Sequence, residues 1–316
     1  MRRTKSHVST LAMGVGLSCL AVVLGGCVSA PPDSEIDASS TPSAASGSTT
    51  ANLVDVGGDR QLYLACAGSG SPTVVFISGT GGAADEWMSV ADHTDPAAPA
   101  TASPQSVFDT VSRTTRVCGY DRPGTTLSSG AMTPSTLVSQ PTTAGQDVKD
   151  LEALLVASGQ PGPYVLVGAS WGGMIAQLFA RTHPKQTRGI VLVDAASAYL
   201  KDTFTPTQWS AWMAAIASAP TAPGAEVPAY PPSLAELQAA GSMPGIAASV
   251  LSSDHPWDLQ VTPGASTWPA WLAAQDALAR SLHATHLTDT DSGHGIAAEQ
   301  PKLVSDAIHG VIENVR

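Results

Sequence analysis

Short runs of aliphatic and β-branched residues alternate with longer stretches of helical periodicity along most of this chain. The runs at residues 73–77, 164–167 and 189–193 are continuously apolar, which is typical of strands buried on both faces of a sheet. The stretches at 144–158 and 171–183 carry apolar residues at helical spacing. Strands that alternate with helices predict an α/β fold with a mostly parallel sheet covered by helices on both faces.

The alternation is interrupted between residues 198 and 246. This segment is rich in Ala, Pro and Trp, has no convincing strand, and contains two fragments of helical periodicity, at 207–217 and 233–238. We therefore expect an inserted helical lid in place of further sheet. The alternation resumes with an apolar run at 247–252, a helix at 268–282, a strand at 285–288 and a last helix at 301–315.

The composition favours a globular enzyme over several other classes of protein. Of the 316 residues, 43% are hydrophobic and 13% are charged, so the chain can bury enough apolar surface to fold. The length fits one large domain or two small ones. A formal net charge of −11 disfavours nucleic acid as a partner, because nucleic acid is bound through basic surfaces.

The first residues have the features of an export signal. A basic start at residues 2–5 precedes an apolar run at 11–24, which is shorter than the ~20 residues of a spanning helix. Residues 24–27, Leu-Gly-Gly-Cys, resemble the lipobox of bacterial lipoproteins, in which the cysteine is lipidated. The alternatives are an ordinary signal peptide with an incidental cysteine, or an uncleaved anchor.

The lipoprotein interpretation predicts the domain organisation and the location of the protein. We expect a signal peptide at 1–26, a lipidated Cys27 with a flexible Ser/Ala/Thr/Pro linker up to residue 52, and a catalytic domain at 53–316. The lipid would hold the exported protein on the outer face of the bacterial cell membrane. The membrane is thus an expected partner through the lipid anchor.

Export also affects how the remaining cysteines are interpreted. Once the signal is removed and Cys27 is lipidated, Cys66 and Cys118 are left. In an oxidising compartment an isolated pair of cysteines favours a disulfide. Two buried free thiols are the alternative.

The first chemical motif is Gly168-Ala169-Ser170-Trp171-Gly172, a G-x-S-x-G sequence. Alone it is a weak signal, but here it directly follows a buried strand and opens a helix. That setting is the strand–turn–helix context in which a strained turn presents a nucleophilic serine. A tight turn with a merely solvated Ser170 is the alternative interpretation.

A nucleophilic serine needs a base and an orienting carboxylate, which follow it in the order acid, then His. Of the eight histidines, His294 lies in a Gly-flanked loop between the last strand and the last helix, where a base could meet Ser170. Asp254 follows the apolar run at 247–252 and is the expected acid. Asp194, which ends the run at 189–193, is the alternative.

The oxyanion of an acyl-transfer reaction needs hydrogen-bond donors. One expected donor is the backbone N–H of Trp171, the residue after the nucleophile. The second should come from a loop after an early central strand, and residues 78–82, Ser-Gly-Thr-Gly-Gly, form such a loop. We predict the backbone N–H of Thr80 as this donor. A plain glycine-rich turn is the alternative.

Together these motifs resemble the α/β-hydrolase fold superfamily over nearly the whole chain, from about Leu53 to Val315. Residues 120–124, Tyr-Asp-Arg-Pro-Gly, are similar to a loop of the same superfamily. The resemblance implies eight strands with the lid inserted after the sixth. It also implies that the strand bearing Cys66 lies beside the strand bearing Cys118, in support of a bridge. Serine at position 170 disfavours relatives that use an Asp nucleophile, such as dehalogenases and epoxide hydrolases.

The expected activity is hydrolysis of an ester or related acyl bond in a small-molecule substrate. Ser170, His294 and Asp254 would form the triad, and we expect neither a metal nor a cofactor. One alternative is a non-catalytic binding lipoprotein of the cell envelope on a hydrolase fold. A peptidase or a cofactor-free haloperoxidase with the same triad is a further alternative. The tryptophans in and after the lid favour an apolar acyl group, unless they simply fill the core.

Overall fold

The computed structural model describes residues 49–92, 94–95, 98–219, 222–257 and 266–315. The expected signal peptide at 1–26, the lipidated Cys27 and most of the expected linker lie outside the described residues. The first strand begins at Thr50, three residues upstream of the expected start of the catalytic domain at Leu53.

Eight strands form one sheet. In chain order they are β1 (Thr50–Gly57), β2 (Arg60–Ala67), β3 (Thr73–Ile77), β4 (Val117–Tyr120), β5 (Tyr164–Ala169), β6 (Thr187–Val193), β7 (Ala247–Leu251) and β8 (Thr285–Leu287). Their order across the sheet is β1-β2-β4-β3-β5-β6-β7-β8. The pairs β1–β2 and β2–β4 are antiparallel, and all the other pairs are parallel. The expectation of a mostly parallel, eight-stranded sheet is confirmed.

The central strands are apolar because helices cover both of their faces. Every residue of β3 is buried, and β5 is buried from Tyr164 to Gly168. Cys66 of β2 lies directly opposite Cys118 of β4 in the antiparallel register, and the two form a disulfide. The bridge joins neighbouring strands, as the resemblance implied.

Helices cover the two faces of the sheet. They are α1 (Val107–Ser112), α2 (Ala144–Ala157), α3 (Trp171–Thr182), α4 (Leu200–Thr203), α5 (Pro206–Ser218), α6 (Tyr230–Ala239), α7 (Trp268–Leu282), α8 (Ile296–Glu299) and α9 (Pro301–Glu313). Buried side chains of α2, α3 and α7 belong to one core cluster, and those of α1 and α9 belong to the other. The predicted α2, α3, α7 and α9 lie within two residues of their expected bounds, whereas the short α1 and α8 were not expected.

The inserted segment lies between β6 and β7, which confirms a helical lid after the sixth strand. It contains α4, α5 and α6. The second half of the segment is tied to the body of the fold by hydrogen bonds. The backbone N–H of Ala144 donates to Ser233 Oγ, and that of Gly145 donates to Glu236, both on α6. In the described part of the chain, no helix combines the length and the hydropathy that crossing a membrane requires.

Candidate active site

Ser170 occupies the sharp turn between β5 and α3. Its backbone has φ 48° and ψ −121°, a conformation that a non-glycine residue rarely adopts and that the surrounding packing must maintain. The two positions 172 and 173 after it require glycine, because neighbouring atoms approach their backbone too closely for a Cβ. A Cβ on Gly172 would lie 2.1 Å from the carbonyl oxygen of Ile77, and one on Gly173 would lie 2.3 Å from the Cβ of Ala195. The turn is therefore wedged against β3 and the end of β6, with Ser170 at its apex.

His294 lies in the loop between β8 and α8, and its imidazole contacts Asp194. The distance from His294 Nδ1 to Asp194 Oδ2 is 2.6 Å. Because an ionised carboxylate only accepts hydrogen bonds, this contact fixes the proton on Nδ1 and leaves Nε2 as the basic nitrogen. Asp194 directly follows β6 and has a φ of 41°. The structure thus joins a base to a strand-end carboxylate.

The carboxylate of Asp194 is fully buried and held by several donors. Its Oδ1 accepts hydrogen bonds from the backbone N–H of Ser253 at 3.1 Å, from the hydroxyl of the same residue at 3.2 Å, and from the indole N–H of Trp271 at 3.0 Å. Buried charges require such partners. With His294 on its other oxygen, Asp194 is satisfied without any cationic partner.

The structure does not bring Asp254, the acid expected from the sequence, to the imidazole of His294, because its carboxylate faces backbone N–H groups instead. It accepts hydrogen bonds from the backbone N–H groups of Thr290, Asp291 and Ser292 at 2.9–3.1 Å. Desolvation raises its pKa, but the bonds from Ser292 and Asp291 outweigh that effect and leave the pKa below its ordinary value. Asp254 therefore orders the loop that carries His294 but does not contact the imidazole.

Aromatic rings enclose the imidazole of His294. The ring of Trp257 stacks on it with centroids 4.0 Å apart, and the ring of Trp271 meets it edge-on at 5.6 Å. The indole N–H of Trp257 donates to the hydroxyl of Ser253, which also contacts Asp194. The sequence indicated Trp257 only as a large apolar residue, and Trp271 and Ser253 were missed as partners of the acid. Their polar atoms lie far from Asp194 along the chain, so spacing gave no signal for them.

The glycine-rich loop at 78–82 is held in place by Arg122. The guanidinium donates to the carbonyl oxygens of Ser78 at 2.9 Å and Gly79 at 2.6 Å. The same guanidinium binds Glu226 of the lid through two hydrogen bonds, at 2.6 and 3.0 Å. Glu226 in turn accepts the backbone N–H of Gly81 at 2.6 Å.

This ion pair is almost completely removed from water. The side chains of Arg122 and Glu226 are 1% and 0% exposed. Desolvation alone would lower the pKa of Arg122, but the charge and hydrogen bonds of Glu226 raise it above its ordinary value. The lid backbone also lies close to the segment at 120–124, since a Cβ on Gly124 would be 2.4 Å from the carbonyl oxygen of Gly224. The motif at 120–124 was recognisable in the sequence, but Glu226, the lid residue that binds Arg122, was not.

The two expected oxyanion donors, the backbone N–H groups of Trp171 and Thr80, belong to segments next to Ser170. Trp171 is the first residue of α3, a position whose N–H has no acceptor within its own helix. Its indole points away from the nucleophile and donates to the buried Asp147 at 3.1 Å. Thr80 lines the same cavity as Ser170, and a Cβ on the preceding Gly79 would lie 3.2 Å from Ser170 Cβ. The roles of the Thr80 and Trp171 amides stay predictions.

Ser170 and His294 line one cavity of about 480 Å³. Aromatic side chains form much of its wall, namely Trp87, Trp212, Tyr230, Trp257 and Trp271. The side chain of Thr80 lies close to the hydroxyl of Tyr230, which is the first residue of α6 and so belongs to the lid. In the described part of the chain, no group of three or more His, Cys, Asp or Glu side chains is arranged to hold a metal ion.

Comparison with known proteins agrees with this architecture. A family model described as alpha/beta hydrolase fold matches residues 72–225. An uncharacterized protein of Schizosaccharomyces pombe is 32% identical over 155 residues, which make up 45% of this chain and 28% of that protein. The chain thus spans less than a third of the length of this relative.

Solved structures with low sequence identity share the fold. A thermophilic esterase from Thermogutta terrifontis superposes with a TM-score of 0.51 at 17% identity, covering 85% of this chain and 99% of the esterase. The haloalkane dehalogenase DatA from Agrobacterium tumefaciens C58 gives a TM-score of 0.53 at 14% identity, covering 85% and 97%. With the matching family model and strand order, these similarities show that the chain has the α/β-hydrolase fold.

Proposed function

We propose that this chain is a serine hydrolase that cleaves an ester or a related acyl bond in a small molecule. The observation that carries the proposal is the 2.6 Å contact between His294 Nδ1 and Asp194, made at the rim of a cavity that Ser170 also lines. A Ser–His–Asp set on a strand–turn–helix nucleophile is the arrangement used for acyl transfer. The acid in this proposal is Asp194 in place of Asp254.

In the proposed reaction His294 Nε2 takes the proton of Ser170 as Oγ attacks the carbonyl carbon of the substrate. Asp194 stabilises the imidazolium that forms, and the backbone N–H groups of Thr80 and Trp171 bind the oxyanion. The imidazolium then protonates the leaving group, and the C–O bond of the ester breaks. A water molecule, deprotonated by His294, releases the acyl group and regenerates the Ser170 hydroxyl.

A serine at the apex of the turn also separates this chain from fold neighbours with other chemistry. DatA is described as a haloalkane dehalogenase, and another fold neighbour as an epoxide hydrolase. Displacement at an alkyl carbon needs a carboxylate nucleophile that forms an alkyl ester, whereas Ser170 presents a hydroxyl next to a base. The chemistry of the apex residue therefore favours an acyl substrate.

A fluorophosphonate probe tests the proposal, because it reacts with an activated serine and not with an ordinary hydroxyl. The wild-type protein should be labelled, and Ser170→Ala should abolish labelling and reduce the hydrolysis of p-nitrophenyl esters by about 10⁴-fold or more. Ser128→Ala is the matched control, since Ser128 lines the same cavity away from the turn, and it should still be labelled. A folded wild-type protein that resists the probe and hydrolyses no ester would be a binding protein instead.

We also propose that the enzyme acts outside the cytoplasm while anchored by lipid on Cys27. The support is the sequence at 24–27 together with the disulfide between Cys66 and Cys118, which suits an oxidising compartment. Metabolic labelling with an alkynyl fatty acid should mark the wild-type protein in the membrane fraction but leave Cys27→Ala unmarked. Equal labelling of the two proteins would refute the anchor.

A further inference from the structure

The wall of the cavity contains one carboxyl group that the proposed acyl transfer does not use. Glu86 belongs to the single helical turn Ala84–Met88, which follows the glycine-rich loop, and it lines the same cavity as Ser170 and His294. No Lys or Arg is among the described residues that line this cavity. Among the described residues that line this cavity, Glu86 carries the one carboxyl group and His294 the one imidazole.

The backbone makes room for this carboxyl group. A Cβ on Gly82 would lie 1.9 Å from Glu86 Oε1, so a side chain at position 82 would displace the carboxyl from its place. The nearby backbone N–H of Gly79 favours the ionised form of this carboxyl group. Glycine at position 82 therefore allows Glu86 to lie over the loop that precedes it and to border the cavity.

The nearby positive charge, that of Arg122, is already paired with other groups. Arg122 is close enough to favour the ionised form of Glu86, but its guanidinium donates to Glu226 and to the carbonyl oxygens of Ser78 and Gly79. No ion pair joins Glu86 to any cation within the described ranges. The charges of Asp85 and Glu226 add to the unfavourable potential at this carboxyl.

The negative charge of the Glu86 carboxylate is therefore only partly balanced by nearby positive charge. Glu86 is an exposed residue that borders the cavity. Because the protein around it still displaces part of its hydration, desolvation raises its pKa to about 7. A cation that entered the cavity would stabilise the ionised form. An anionic ligand would meet a negative wall and no basic side chain.

The remaining wall is aromatic. The rings of Trp212, Tyr230, Trp257 and Trp271 line the same cavity. Aromatic faces attract cations, and the attraction strengthens where water is excluded. Building on the proposed hydrolase function, we propose that the substrate carries a positively charged nitrogen, and that Glu86 and this aromatic wall bind it. Glu86 is thus a specificity-determining residue for cationic esters.

Two pairs of isosteric esters test the proposal on both sides of the scissile bond. On the acyl side, the p-nitrophenyl ester of 4-(trimethylammonio)butyrate is compared with that of 5,5-dimethylhexanoate, which replaces the charged nitrogen by carbon. On the leaving-group side, butyrylthiocholine is compared with the 3,3-dimethylbutyl thioester of butyrate. In at least one pair the wild-type enzyme should prefer the cation in kcat/KM by about tenfold or more.

Removing the charge of Glu86 tests whether this residue causes the preference for the cationic ester. Glu86→Gln keeps the shape of the side chain and should lower the cation-to-neutral ratio of kcat/KM by about tenfold. Glu152→Gln removes the same charge from an exposed position on α2, next to His183, and should leave the ratio unchanged. The ratio is insensitive to general losses of folding or activity, because both esters of a pair report on the same enzyme.

The outcomes separate this inference from the function on which it rests. A wild-type enzyme that is labelled at Ser170 and hydrolyses both esters without preferring the cation overturns the inference alone. An equal fall for both esters in Glu86→Gln also overturns it, because it shows a role in the loop and not in substrate choice. Failure of labelling and of every ester refutes the hydrolase proposal itself.

Discussion

The two sides of the proposed catalytic rim, an acid–base side and an oxyanion side, are fixed by different physical interactions. On the acid–base side, Asp194 and His294 are held by neutral donors and stacked rings, all supplied after β6 and before α8. On the oxyanion side, the loop at 78–82 is held by the buried ion pair of Arg122 and Glu226. Only the oxyanion side therefore depends on a charge contributed by the lid. The acid–base side should therefore tolerate changes in the lid that the oxyanion side does not.

The largest expected effect distinguishes the two strand-end aspartates. Asp194→Asn should lower kcat/KM for p-nitrophenyl esters by about 10³–10⁴-fold, because an amide no longer enforces the tautomer of His294 or stabilises the imidazolium. Asp254→Asn should change kcat/KM by only a few-fold, since its carboxylate serves the backbone of residues 290–292. Circular dichroism establishes that both variants are folded. The opposite ranking would restore Asp254 as the acid.

A smaller effect is expected from the lid. Glu226→Gln leaves Arg122 buried without its counter-charge, which should destabilise the protein by about 3–5 kcal/mol. If the loop loses its position, kcat should fall by about 100-fold while KM changes little. Urea denaturation and ester kinetics measure the two quantities.

The matched control lies on the same lid, where Glu236 caps α2 through Gly145 and Thr143. Glu236→Gln should reduce stability by about 1 kcal/mol and leave kcat near that of the wild type. If Glu226→Gln is destabilised with an unchanged kcat, the ion pair supports the fold and not the oxyanion loop.

The smallest effect concerns pH. Burial raises the pKa of Asp147 to about 8, and desolvation raises that of Asp121 to about 6. Both lie near the ion pair on the oxyanion side. A carboxyl with a raised pKa binds its proton in the folded state at pH values where the unfolded chain has released it. Stability from these groups is therefore fully present below the ordinary carboxyl pKa of 3.8 and is lost as pH rises through the folded pKa values of about 6 and about 8.

Asp147→Asn should flatten this decline by up to about 1.4 kcal/mol per pH unit in urea denaturation. Trp271→Phe, on the acid–base side, should leave the slope of the decline unchanged. A wild-type protein whose stability is constant or rises from pH 5 to pH 8 would show that the carboxyls behind the oxyanion loop ionise normally.

The central strands and the position of Ser170 could be predicted because their signals are local, whereas the mostly exposed β1 has no such apolar run. Continuous apolar runs identify buried strands, and the glycines around Ser170 are required by close approach to Ile77 and Ala195. The acid could not be chosen in this way, since both Asp194 and Asp254 come after strands of the same sheet. One local difference was available: Asp194 is the first residue after β6, whereas Asp254 lies three residues beyond the end of β7.

The partner of Arg122 could not be predicted for a different reason. Glu226 lies 104 residues away, in a lid whose sequence has no strand periodicity to fix its path. The same limit applies to Trp271, whose N–H reaches Asp194 across 77 residues. Contacts of this kind depend on where distant segments meet at the end of the sheet, and hydrophobic periodicity carries no information about that meeting.

Glu226, which the lid contributes to the proposed oxyanion loop, limits how the proposed hydrolase can be re-engineered. A lid is an obvious segment to exchange between related proteins when a different substrate is wanted. A chimera with a foreign lid that lacks an acidic residue at position 226 would leave the buried guanidinium of Arg122 without its counter-charge. We expect such a chimera to lose turnover even if its pocket has a suitable shape. Exchanging only α5 and its flanks, upstream of Gly224, would vary the pocket wall while sparing the chemistry.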